Sequence, residues 1–399
     1  MHADGWSTEI AIPFKSISFA PQSDTWGINF GRGVVRKQEY TIWSSYQREW
    51  WPAYGGEVQG IAEIEQGLGL DIVPSVNLTQ QRNLVLNDSD SDVEPSLDVR
   101  YRITPSLSAT LTLNTDFSTA EIDEQQVALD RFSLFFPEKR DFFLQDAGIF
   151  EFGNIDTNGR PFFSRRIGLS DDGEPVGIDG GIKLTGRVGD FNVGALAIRQ
   201  EEDGDISAKD LFVARGSYNV LDESAVGFIM THGDPTSNES NSVAGVDFLY
   251  RNSEGPFGEI LTGRFWAQQS RSSDLDGDEQ AFGVNVEIPS DKLLAYVDLQ
   301  QIGEDFRPAL GFVNRAGIRR YGVGTRYRTR PETGFWRAIN HKIDYVLVTD
   351  MDNSLLTEWL EIEPIGLYSN EDDYLFVNWS RNKEVVREEF ELFDRLNVP

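Results

Sequence analysis

The chain has no cysteine in its 399 residues and only three histidines. Without cysteine there is no disulfide frame and no thiolate metal site. His2, His232 and His341 stand in no spacing used by a serine hydrolase or a metal centre. No stretch reaches the ~18 consecutive apolar residues of a membrane-spanning helix. Cationic residues are scarce too: 36 Lys and Arg against 65 Asp and Glu leave a net charge of -29, which argues against a nucleic-acid partner. Met1, His2, Ala3, Asp4 and Gly5 supply neither the charged nor the apolar part of an export signal. The expectation is therefore a fragment. Hydrophobic content is 39%, low for a soluble core of this size.

What is present is a two-residue rhythm. Leu107, Ala109, Leu111 and Leu113 alternate with Ser108, Thr110, Thr112 and Asn114, and Phe282, Val284, Val286 and Ile288 alternate with Gly283, Asn285 and Glu287. That period means strands with one apolar and one polar face. It predicts strands at 69–80, 95–103, 106–115, 178–188, 190–199, 210–220, 223–232, 243–252, 257–269, 279–289, 292–302, 317–330, 335–349, 355–365 and 372–382, with room for one more. Short connectors such as Thr104-Pro105, Gly189-Asp190 and Asp222-Glu223 alternate with long ones at 81–94, 116–177, 200–209, 233–242, 270–278 and 303–316. Tight turns at one end and long loops at the other are the asymmetry of an outer-membrane barrel. The competing solution is a soluble meander or propeller with its apolar faces inside.

The expected fold class is all-β: an antiparallel up-and-down transmembrane β-barrel, incomplete, with about 15–16 strands present, preceded by part of a β-sandwich. Residues 66–399 form the barrel, carrying a lumenal insertion at 116–177. Residues 1–65 hold Trp6, Trp26, Trp43, Trp50 and Trp51 in strands too few to bury a core alone, and read as the C-terminal remnant of the sandwich. The loop asymmetry puts them on the short-turn, periplasmic side.

Asn114 to Ser118 lead to Glu121, Ile122 and Asp123, then to Arg131–Leu144, Ala147–Phe150 and Phe163–Gly168. These segments, with Leu310–Arg315 and Arg319–Tyr321, resemble a bacterial family with domain of unknown function 5916. The resemblance implies a Gram-negative outer-membrane barrel joined to a carbohydrate-binding-family-9-like domain, of which Gly5–Phe19 and Trp26–Phe30 look like the end. It implies architecture and location rather than chemistry.

The insertion is too long and aromatic for a plain loop. Phe132, Phe135, Phe136, Phe142, Phe143, Phe150 and Phe152 are costly to expose together, so the segment is expected to fold into the lumen as a constriction or an inert plug. Arg131, Glu138, Lys139 and Arg140 are its candidate lumenal residues, with Pro137–Arg140 as a polar tip and Glu138 and Arg140 pairing with wall charges. Arg165 and Arg166 add to it. On the wall, Arg320, Arg326, Arg328 and Arg330 share one face of a strand whose other face holds Tyr321, Val323, Thr325 and Tyr327. If those apolar residues meet lipid, the arginines line the lumen, with Lys183, Arg187, Arg100 and Arg102 obeying the same rule. A basic strip suits an anionic or hydroxyl-rich solute; alternatively the arginines pair with Asp98, Glu287 and Asp298 and hold the wall.

Trp43, Trp50 and Trp51 are candidates for stacking on a sugar ring, with core packing as the alternative. Tyr218, Tyr250, Phe265 and Trp266 read as an interfacial girdle. Asp274, Asp276 and Asp278 alternate as calcium ligands do, yet the run departs from an EF-hand and a solvated acidic loop is the preferred reading. No cofactor is otherwise expected, no catalytic residue stands out, and an enzyme is the less favoured class. The expected partners are outer-membrane lipid and a carbohydrate ligand. The leading function is passage or capture of a solute such as an oligosaccharide; a glycan-acting hydrolase and an adhesive or structural barrel are the alternatives.

Overall fold

The computed structural model describes residues 5–14, 17, 19, 23–35, 39–44, 55–62, 64, 68–83, 88–114, 135–170, 173, 175–371, 373–385 and 389–397, with the side chains at 79–83, 88–92, 257 and 389–397 outside the description. Among the described residues four short strands come first: β1 (Thr25–Ile28), β2 (Gly31–Val34), β3 (Glu39–Ile42) and β4 (Gly56–Gln59). They pair as two ribbons, β1 with β4 and β2 with β3. Sixteen strands then form one sheet in unbroken sequence order. They are β5 (Leu70–Asn83), β6 (Asp88–Thr104), β7 (Leu107–Leu113), β8 (Ile178–Val188), β9 (Phe191–Gln200), β10 (Lys209–Val220), β11 (Ser224–His232) and β12 (Asn241–Asn252). The other eight are β13 (Leu261–Ser272), β14 (Gln280–Pro289), β15 (Leu293–Ile302), β16 (Ile318–Thr329), β17 (Trp336–Thr349), β18 (Leu355–Ser369), β19 (Tyr374–Val385) and β20 (Glu389–Asn397). This is the all-β, up-and-down antiparallel wall that the alternation predicts. Among the described residues no rung joins β5 to β20.

One connector departs from expectation. The acidic stretch 81–94 is not a long loop: β5 and β6 stay paired out to Asn83 opposite Asp88, leaving 84–87 as the connection. Strand residues that have no lipid or core to face need not alternate, so the polarity signal fades while the backbone ladder continues.

The polarity of the wall is inverted relative to a soluble protein. Ile182 is 53% exposed while its neighbour Lys183 is 2% exposed. Val323 is 49% exposed on the outer face, whereas Arg326 lies partly buried on the inner one. Exposed Phe212, Phe228, Met230, Val246, Phe282, Val297 and Leu299 continue the outer band. Such a surface is unfavourable in water and natural in hydrocarbon. The wall is that of a membrane-spanning barrel.

The apolar core lies between the wall and the insertion. Phe142, Phe143, Phe150 and Ile167 pack against inward-facing Ile178, Leu196, Ile198, Leu211 and Val213, joined by Leu310 from the β15–β16 connector. A second cluster joins Phe152 and Ile155 to Ile229, Trp266, Ala281, Ile302, Ile318 and Val348. Each fully buried phenylalanine contributes roughly 1.5–3 kcal/mol. Wall glycines make the sockets: a Cβ on Gly194 would lie 3.0 Å from the Phe150 ring, and one on Gly245 would lie 2.8 Å from Phe152. The insertion itself carries little regular structure, with one helical turn, α1 (Asp141–Leu144), and tight turns at Ala147–Phe150 and Ser164–Arg166.

The N-terminal segment meets the barrel at its short-turn end. Arg102, expected along the lumen, donates from Nη1 to the Ile17 carbonyl at 2.8 Å and to that of Phe14 at 3.4 Å. The Phe19 amide donates to the Pro105 carbonyl in the β6–β7 turn at 3.3 Å.

Candidate functional site in the barrel lumen

Polar groups on the inner wall hold the insertion, mostly by its main chain and at Asp146 by its carboxylate. Lys183 Nζ donates to the Phe142 carbonyl and, at 2.7 Å, to that of Gln145. Thr185 donates to Asp146 at 2.8 Å, and Arg215 Nε to the Glu151 carbonyl at 2.9 Å. Gln268 and Gln300 reach the carbonyls of Gly159 and Asn158 at 2.6 and 2.9 Å. Irregular backbone buried in a barrel must find partners for its carbonyls, and alternating inward side chains supply them at intervals up the wall. The β15–β16 connector adds a strand-like rung, Arg160 with Phe312, whose backbone bonds measure 2.9 and 3.0 Å. The insertion is fixed inside the barrel over residues 135–170.

The residues proposed from sequence distribute as follows. Arg131, Trp50 and Trp51 lie outside the described residues. Glu138 and Arg140 are not a tip reaching for wall charges. Arg140 Nη2 meets Glu138 Oε2 at 2.7 Å, with both side chains nearly buried, and Arg140 also donates to the Ile167 and Ser164 carbonyls at 2.6 and 2.7 Å. Glu138 accepts the amides of Lys139 and Arg140 at 3.0 and 2.9 Å and the Ser164 hydroxyl at 2.7 Å. The chain curls around its own carboxylate, so the pair ties two parts of the insertion together. Burial works to raise the Glu138 carboxyl, but the hydrogen bonds and charge of Arg140, aided by Ser164, hold it below its ordinary value.

Arg165 donates to the Pro137 carbonyl within the insertion at 3.1 Å, and Arg166 to that of Ala309 in the β15–β16 connector at 3.4 Å. Trp43 stands exposed, its ring 5.7 Å from that of Phe30. Trp266 is not part of a girdle: at 9% exposure it faces inward, beneath Gly153 of the insertion. Its parity with Arg264 and Gln268 marks that face. Asp274 is engaged by Arg307 at 2.7 and 2.9 Å, which holds its carboxyl below the usual range. Among the described residues no group of three His, Cys, Asp or Glu is placed to hold a metal ion.

The wall arginines are largely neutralised. Arg320 pairs with Asp298, Arg328 and Arg330 both meet Asp291 at 2.7 Å, and Arg264 lies 3.6 Å from Glu287. Asp291, in the β14–β15 turn, is held well below the ordinary carboxylate value, first by its hydrogen bond from Arg330 and then by Arg328, against the opposing effect of burial. Arg326 and Arg100 differ: each holds a buried Nε with no hydrogen-bond partner among the described residues.

A cavity of about 590 Å³ runs between the insertion and the β13–β16 wall. Its ionic residues balance: Asp156, Glu287 and Asp298 against Arg264, Arg315 and Arg320. Between them stand Asn154, Asn158, Asn285, Gln300 and Tyr296. The basic strip is therefore a lattice of paired charges and amides. A larger hollow, about 750 Å³, lies mostly on the outer face around Ile182, Phe212 and Met230, where lipid packs. Sequence reasoning missed Arg215, Asp247, Gln200 and Asn158, although each strand residue among them falls on the inward parity of its strand.

Residues 68–179 match the family described as Domain of unknown function (DUF5916). The DUF5916 segment thus spans β5, β6, β7, the insertion and the start of β8. It takes in the Arg131–Leu144 stretch that carries the likeness, while residues 1–67 lie outside it. No curated protein matches the chain. Among solved structures, OccAB2 of Acinetobacter baumannii shares 10% identity, covering 82% of this chain and 85% of that one at a TM-score of 0.38. OpdL of Pseudomonas aeruginosa shares 11%, covering 81% and 88% at 0.38, and the outer membrane protein opdK of the same organism shares 13%, covering 82% and 85% at 0.36.

Proposed function

We propose that the chain forms the wall of a Gram-negative outer-membrane barrel that captures or passes an uncharged, hydroxyl-rich solute such as an oligosaccharide, with the insertion as its constriction. The carrying observation is the balanced cavity beside the insertion, where three acids face three arginines amid amides and a phenol. Neutralised ion pairs and amides offer both donors and acceptors without a net field, which suits hydroxyls better than an anion. The insertion narrows the lumen at the level of Lys183 and Arg215. The contacts of Arg102 and Phe19 support a periplasmic position for residues 1–65, where Trp43, Trp50 and Trp51 are the candidates for a carbohydrate ligand.

The test is osmotic swelling of proteoliposomes in sucrose and in longer maltooligosaccharides. Swelling is expected to be slow with the whole chain and faster when 135–170 is replaced by a short glycine-serine linker. A tight seal in both forms would overturn passage.

A further inference from the structure

We propose a second lumenal site, near the short-turn end, for a small zwitterion of the α-amino acid type. Arg326 on β16, Lys342 on β17 and Glu363 on β18 are consecutive cross-strand partners, so they form one row on the inner wall. The outer two are two strands apart, roughly 10 Å between backbones. Lys342 does not fill the space between them: its ammonium is drawn to Asp344 and Glu361, both at 2.8 Å. Arg328, on the next inward position of β16, is drawn the other way, to Asp291 at 2.7 Å and Asn340 at 2.8 Å. What remains is a cavity of about 250 Å³ whose charged and phenolic lining is Arg326, Arg328, Lys342, Asp344, Glu363 and Tyr368, with Arg328, Lys342 and Asp344 already engaged in the pairs above.

Neither Arg326 nor Glu363 has a hydrogen-bond or ion-pair partner among the described residues, and Arg326 Nε is shielded from solvent without one. Elsewhere in this wall a comparable span is closed: Arg215 and Asp247 stand two strands apart on a diagonal and meet directly across Gly227. At the lower site a lysine occupies the middle strand, and the outer charges stay separate.

The backbone is shaped for this. The β17–β18 register shifts between Asn340 and Lys342, placing a bulge at Pro364 and Ile365 immediately after Glu363. Bulges re-aim side chains, and a proline there surrenders no ladder bond. A Cβ on Gly366 would strike Glu363 Oε1, so the glycine leaves room for the carboxylate. The volume is below the roughly 300–1,000 Å³ of pockets for drug-sized ligands. A guanidinium at one end and a carboxylate at the other match a ligand carrying a carboxylate and an ammonium a few bonds apart.

This deepens the passage reading, since it assigns a second class of solute to the same lumen. Detergent-purified chain is titrated calorimetrically with L-alanine, acetate and methylammonium chloride, with native sheet content and heat-modifiable gel migration confirming the fold of each variant. L-alanine is expected to bind at least about tenfold more tightly than either half-ligand. Arg326→Gln and Glu363→Gln each remove that preference, and Gly366→Ala, which displaces the Glu363 carboxylate, weakens L-alanine and methylammonium and leaves acetate unchanged. No L-alanine binding, or binding equal to acetate, overturns the site. Sucrose swelling is read separately, so loss of permeation with retained L-alanine binding would sink the passage reading and leave the site standing.

Discussion

Arg215 and Asp247 form a two-point ion pair inside the barrel, Nη1 to Oδ1 and Nη2 to Oδ2 both at 2.8 Å, with side chains only 4% and 2% exposed. They belong to β10 and β12, and the bridge passes over Gly227 of β11, where any Cβ would collide with it. The pair also holds the insertion, since Asp247 Oδ2 accepts the Gly153 amide at 3.1 Å and Arg215 Nε donates to Glu151. Wall and insertion share one electrostatic joint.

Removing one partner leaves the other buried and uncompensated, which costs roughly 3–5 kcal/mol. Asp247→Ala is expected to expose the insertion to limited proteolysis and to raise ion conductance in planar bilayers. Arg215→Met combined with Asp247→Leu is expected to lie closer to the parent than either single change, read as the temperature of heat-modifiable gel migration. Singles indistinguishable from the parent would mean that the joint does not hold the insertion.

A second joint responds to acid. The Glu138 carboxyl is held below its ordinary 4.5, so the folded insertion favours the ionised form. Its contribution is complete above that unfolded value and is lost as pH falls through the lower folded one. Conductance of the parent should therefore climb on acidification only below about pH 4.5. Glu138→Gln should be leakier at neutral pH and flat across the same window. A parent profile without an acid step would contradict this assignment.

Much of this was legible because a two-residue period is a strong signal. Lys183 beside Ile182, and Arg326 beside Tyr327, declare which face is which, and the density of phenylalanine in the insertion declares that it must be covered. The joints were not legible. Pairing Arg215 with Asp247 requires the register of three strands, which turns set and side-chain chemistry does not. Glu138 and Arg140 are two residues apart, yet whether they meet depends on irregular backbone between them. Trp266 misleads because an exposed-looking aromatic in a barrel strand reads as interfacial, although it sits in the middle of β13 and its parity with Arg264 points inward. Asp88–Glu94 hides strand β6 because polar extensions beyond lipid carry no alternation.

Trp266 offers a packing test. A Cβ at Gly153 would lie 2.8 Å from the indole, and Gly153 has φ +61, a left-handed conformation that glycine adopts freely. Gly153→Ala is expected to lift the insertion from the indole and cost on the order of 1–3 kcal/mol. Trp266→Ala should cost roughly 3–5 kcal/mol. Because both act on one contact, the double variant should fall short of the sum. Strict additivity in heat-modifiability midpoints would show the two sites to be uncoupled.

The orientation of the wall yields the most direct test. Val323 faces outward in the middle of β16, opposite Val297 on one side and Tyr345 on the other. An arginine facing lipid near the bilayer centre costs roughly 2–4 kcal/mol, falling to ~0–1 near an interface. Val323→Arg should therefore destabilise folding into lipid vesicles much more than Tyr327→Arg, which lies on the same face nearer the short turns. Guanidinium titrations of folding into phosphatidylcholine vesicles measure the difference. Equal penalties at the two positions, or none at Val323, would mean that this face does not meet hydrocarbon, and the enclosed lumen with its paired arginines would have no physical basis.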